Sequence, residues 1–70
     1  MTNWIKSIAE NKARQYKAGE DAAQAMYAAG SVPLAILKEA IEAKNHHPSY
    51  AAGMEAAAYR MEASELGGLK

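Results

Sequence analysis

The chain has 70 residues, no cysteine and a formal net charge of zero. One domain is all that this length allows, disulfide staples are excluded, and neutrality removes the general attraction to nucleic acid or anionic lipid that a basic protein has. Seventeen residues are alanine and none is phenylalanine, so a core of this size supplies at most roughly 3–5 kcal/mol unless metal, ligand or self-association adds to it.

The first element spans about residues 3–29. Trp4, Ile5, Ile8, Ala9, Tyr16, Ala22, Ala23, Met26 and Tyr27 fall on one side of a helix at 100° per residue, with Lys6, Glu10, Arg14, Lys17, Asp21 and Gln24 on the other. Thr2 or Asn3 can cap it. Gly19 lies on the apolar face, and the apolar phase is unchanged across it. This favours one continuous helix with another backbone close to Gly19, over a break with a second helix starting at Glu20-Asp21. Gly30 suits the left-handed helix end, and Ser31 is placed to cap the next helix, whose first turn tolerates Pro33.

The second helix is expected over about 32–44. Leu34, Leu37, Ala40 and Ile41 form one stripe, and Val32, Ile36 and Ala43 a second beside it, which suggests two neighbours. The break at Asn45-His46-His47-Pro48 follows from the aversion of a pre-proline residue to helical geometry. The third helix is expected over about 48–65. Tyr50, Met54, Ala57 and Met61 make one face; Ala52, Ala56, Tyr59, Ala63 and Leu66 make a weaker strip opposite; Gly67-Gly68 ends it.

The fold class expected is all-α: a long N-terminal helix plus two shorter helices, a bundle completed by homo-oligomerisation. At 1.5 Å per residue the first helix is too long for the other two to cover. Trp4, Ile8, Gly19, Met26, Tyr27, Ile36 and Tyr59 are the expected interface residues. Charge is uneven: residues 1–18 sum to plus three, residues 19–45 to minus two and residues 46–70 to minus one. No apolar run approaches the roughly 18 residues of a membrane span, and charges interrupt any signal-peptide pattern, so a soluble, cytoplasmic protein is expected.

Tyr16-Lys17-Ala18-Gly19-Glu20-Asp21-Ala22-Ala23 is echoed by Tyr50-Ala51-Ala52-Gly53-Met54-Glu55-Ala56-Ala57 at an offset of 34 residues. The offset equals the tetratricopeptide period, but the large-small pattern of that repeat is absent. The echo is better explained as two glycine-notched helices that pack closely. The segment from Tyr50 to Ala58 resembles stretches of small alanine-rich helical proteins encoded by bacteriophages. That resemblance implies a small accessory or inhibitor protein and transfers no site residue.

Lys12, Gln15 and Gly19 interrupt the apolar face of the first helix beside Tyr16. Either Lys12 extends past its neighbour to water and Gln15 is exposed, or Lys12, Gln15 and Tyr16 line a polar pocket with Arg14 or Lys17 at its rim. Such a pocket suits a small anionic or nucleotide-type ligand, with a cation for phosphate and a ring for stacking. His46, His47 and Tyr50 complete the candidate set. Adjacent histidines with only Glu42 and Glu55 near them do not make a four-ligand metal site, so no metal or other cofactor is expected, and a helix-capping role for one imidazole is the commoner use. Glu55 and Glu62 share a face but have the pattern of solvated charges. With no nucleophile–base set and no phosphate loop, an enzyme is not expected. The functional expectation is a non-enzymatic binding protein that sequesters a small anionic ligand or a protein target. The alternative is a helix-turn-helix-like DNA-binding regulator, against which Glu55, Glu62 and Glu65 on the third helix count.

Overall fold

A computed structural model describes residues 3–67 and contains three helices: α1 (Asn3–Ala28), α2 (Pro33–Ala43) and α3 (Pro48–Gly67). Among the described residues there is no strand. Thr2, Gly68, Leu69 and Lys70 lie outside them, and with these the Thr2 cap and the second glycine of the terminal pair. Gly67 belongs to α3 itself, so the helix runs two residues past the expected end.

The turns follow from local chemistry. Gly30 has φ of 107°, its N–H donates to the Tyr27 carbonyl, and the Ser31 N–H donates to the Met26 carbonyl. This is the paired bond pattern of a left-handed helix cap, which glycine adopts without steric cost. Ser31 does not cap α2. Val32 takes that position in extended geometry, with no side-chain hydrogen bond, and Pro33 follows in the first turn. At the second junction the His47 carbonyl accepts the first α3 bond, from the Ala51 N–H at 2.8 Å. His47 therefore contributes backbone, and no imidazole cap forms.

α1 is one helix through Gly19, and Gly19 is buried. The reason lies in α3. A Cβ on Gly19 would overlap the Tyr50 carbonyl oxygen and stand 2.9 Å from the Met54 nitrogen. A Cβ on Gly53 would overlap the Tyr16 carbonyl oxygen. Each glycine thus receives the backbone of the other helix one turn before its partner glycine, and the two echoed segments form a reciprocal crossing. Further along, the Tyr27 hydroxyl reaches Glu65 and Arg60 pairs with Glu20. Tyr16 meets Gly53 and Tyr27 meets Glu65, so contacts climb both helices in the same direction. α1 and α3 run parallel, and α2 carries the chain back from the end of α1 to the start of α3.

The element at the centre is α3, not the long first helix. It packs extensively on both α1 and α2, which barely touch each other. Ala51, Gly53, Met54, Ala57, Ala58 and Met61 of α3 are buried, against Gly19 and Ala23 in α1 and Pro33, Ile36 and Ala40 in α2. Ile36 is the largest fully buried side chain. In α2 the expected stripe is split: Ala40 turns inward with Ile36, while Leu34 and Ile41 face out at 69% and 57% exposure. The strip of α3 running through Ala52, Tyr59, Ala63 and Leu66 is exposed.

Candidate functional site

The core holds no buried polar or charged side chain among the described residues. The polar and ionisable side chains of these residues are at least partly exposed, and three surfaces stand out.

The first is the N-terminal arm of α1. Sixteen residues of α1 precede Gly19 and five residues of α3 precede Gly53, so α1 projects eleven residues beyond its parallel partner. At 1.5 Å per residue that is about 16 Å of helix. Trp4, Ile5 and Ile8 lie on this arm and are 60%, 54% and 47% exposed. They continue the stripe that, further along, packs on α3 through Gly19, Ala23 and Met26.

The second is the outer face of α2. Val32, Leu34, Leu37 and Ile41, edged by Lys38 and Glu42, make an open apolar surface to which neither α1 nor α3 contributes. Leu34, Leu37, Lys38 and Ile41 recur at intervals of three and four residues, so they form a continuous ridge one side-step away from the buried Pro33, Ile36 and Ala40. The sequence sets Leu34, Leu37, Ala40 and Ile41 in one stripe and Val32, Ile36 and Ala43 in a second, and so expects two neighbours for α2. It does not say which stripe is covered within the chain, and Ala40 goes in with Ile36 and not with Leu34 and Ile41.

The third is the start of the α1–α3 crossing, where the expected ligand residues gather in two sets. Lys12, Ala13, Tyr16, Pro48, Ser49 and Ala52 line an open groove of about 580 Å3 on one flank. Gln15, Ala18, His47 and Tyr50 line a smaller one on the other. The two helix backbones meet between these flanks, so the seven candidates do not form one pocket. Arg14 and His46 line neither groove. No group of three or more acidic, histidine or cysteine side chains among the described residues is arranged to hold a metal ion.

Of the residues expected to meet another chain, Gly19, Met26 and Ile36 are taken up within this one. Gly19 receives α3, Ile36 is fully buried, and Met26 packs against the core. Trp4, Ile8, Tyr27 and Tyr59 are exposed. The Tyr27 hydroxyl donates to Glu65 at 2.7 Å, and that bond, with lesser contributions from desolvation and the carboxylate charge, raises its pKa above the usual 10.0. Among the described residues no helix is long and apolar enough to cross a membrane. Comparisons of the chain with family models, with curated proteins and with solved structures give no match.

Proposed function

We propose that this chain is a non-enzymatic binding protein: a helical bundle that is finished by helices it does not itself supply, from further copies of itself and from a protein it sequesters. The observation that carries this is the outer ridge of α2. Leu34 and Ile41 are more than half exposed on a helix whose neighbouring stripe, Pro33, Ile36 and Ala40, is buried. A ridge of large aliphatic residues at helical spacing matches an amphipathic helix laid along it, with anchors three, four and seven residues apart. Exposed apolar surface that is contiguous and edged by charge, as here by Lys38 and Glu42, marks interaction sites more often than scattered surface leucines do. The resemblance of Tyr50–Ala58 to phage-encoded accessory proteins agrees with a sequestering or inhibitory role. Use as a DNA-reading regulator is disfavoured, since α3 lies between two helices and carries Glu55, Glu62 and Glu65 against Arg60.

Affinity capture from cells of the source, with Leu34→Asp/Ile41→Asp as the matched control, tests the reading. A stoichiometric protein retained by the native chain and lost by the variant supports it. Identical captures by both, or none by either, contradict it.

A second reading rests on the groove at the start of α3. There Lys12 and Ser49 lie beside the Tyr16 ring at the positive end of a helix. A small anionic ligand suits that set, and the measurement is a rise in Tm with added inorganic phosphate or nucleotide that Lys12→Gln abolishes.

A further inference from the structure

We infer that the arm of α1 is covered by the arm of a second copy of this chain, lying antiparallel along the track that α3 leaves vacant. The inference deepens the proposed function by naming one of the missing helices, and it rests on that reading.

The argument begins with continuity. Gly19 and Ala23 are buried against α3, and the same face of the same helix passes to Ile8, Ile5 and Trp4, which are bare. The face is apolar in both parts, and its side chains are the larger on the uncovered one. What changes is that α3 begins level with residue 14 of α1, by the register that sets Gly19 beside Gly53. The vacant track is therefore residues 3–13, eleven residues long. The arm of a second copy has that same length. Antiparallel, with residue 3 opposite residue 13, it fills the track up to the lip formed by Pro48 and stops there. By symmetry the second arm is covered by the first, so the contact closes on itself as a two-fold dimer and does not propagate.

That register places Ile8 against Ile8 of the second copy, on the two-fold axis, and Trp4 across from Lys12 of the second copy. It thereby accounts for Lys12, a charged residue within an apolar stripe. A tryptophan face is the aromatic surface that attracts an ammonium group most strongly, and the pair is formed twice. Lys6, Glu10 and Arg14 lie on the far side of the arm and stay out of the contact. A stripe this narrow and three turns long gives an interface at the low end of specific ones, below about 1,200 Å2 in total, so the dimer is weak and its population depends on concentration.

Trp4 is the sole tryptophan, so its emission reports the arm directly. The experiment is sedimentation velocity and tryptophan emission on the full chain, over a range from about 1 µM to about 500 µM that brackets a weak interface. The expected result is a rise from monomer to dimer, with a parallel blue shift and protection of Trp4 from acrylamide. Ile8→Asp stays monomeric with red emission and unchanged helical circular dichroism, Lys12→Glu weakens the dimer, and Ile41→Glu leaves it intact. A monomer throughout the range overturns the inference. So does a dimer in which Trp4 stays fully quenchable, or one lost with Ile41→Glu and kept with Ile8→Asp, which moves the association to α2. A monomer whose α2 ridge still captures a protein leaves the proposed function standing and removes only this step. A dimer that forms as expected from a chain whose α2 captures nothing does the reverse.

Discussion

The glycine crossing and the N-terminal arm are two stretches of one helix face with opposite fates. At the crossing, Gly19 and Gly53 let the α1 and α3 backbones touch, and the apolar stripe is buried. On the arm, larger side chains, Trp4, Ile5 and Ile8, stay in water. Burial in this molecule is decided by where α3 begins and by the parallel register, and hydrophobicity alone does not decide it. The most apolar part of α1 is the part with no neighbour, and the tightest contact is made by residues with no side chain at all.

Substitutions sharpen the contrast. The largest effect is expected at the crossing. Gly19→Ala or Gly53→Ala puts a methyl group into a carbonyl oxygen of the facing backbone, which has no flexible end to move aside. The helices must separate, at a cost of about 3 kcal/mol or more, set against a gain of about 1 kcal/mol in helix propensity. In a domain this small that leaves little or no cooperative unfolding transition by urea titration. Gly67→Ala, with open space around the added Cβ, is the matched control and leaves the midpoint unchanged or slightly higher.

Next in size is the pair Ile36→Ala and Ile8→Ala. The first empties a fully buried site and lowers stability by about 2–4 kcal/mol. The second, measured at a concentration where the chain is monomeric, changes stability by no more than about 0.5 kcal/mol. Equal losses in the two variants would mean that the arm is packed against its own chain.

The smallest effect is at Tyr27. Its hydroxyl is protonated more firmly when folded, because it donates to Glu65. A group whose pKa is raised on folding contributes stability that is complete below its unfolded value and is lost as pH rises through its folded value. Alkaline unfolding above about pH 10 should therefore include a contribution from Tyr27 that Tyr27→Phe removes. The pair is exposed, so the change in Tm is small. A Phe variant with an identical Tm-versus-pH curve from neutral to alkaline conditions would show that the bond contributes nothing in solution.

Much of this architecture was legible in the residues. Gly30, Pro33 and Pro48 punctuate the chain, so three helices and their approximate ends follow from turn chemistry. The echo of Tyr16–Gly19 in Tyr50–Gly53 pointed to two notched helices, and these are the two that meet. The direction of the crossing was not legible, because a wheel reports a face and says nothing about which way the neighbour runs. Nor was the central place of α3. Its alanines are small on every side, so burial by two helices leaves no sharp apolar stripe to detect. α2 misled for the opposite reason: it has large aliphatic residues on two flanks, and only the packing shows that Ile36 goes in while Leu34 and Ile41 stay out. The candidate ligand residues do not share one pocket: Lys12 and Tyr16 line the groove on one flank of the crossing, Gln15, His47 and Tyr50 the groove on the other, and Arg14 and His46 line neither, a division that a helical wheel of one helix does not show.

Amide hydrogen exchange along α1, at a dilution where the chain is monomeric, examines the parallel overhang itself. Beyond the first turn, the amides of residues 7–11 should exchange fast, since a helix without tertiary contacts is marginal. Those of residues 19–27 should exchange only with global unfolding. Uniform slow exchange from residue 7 to residue 27 would contradict the overhang, because it would require a neighbour along the whole of α1.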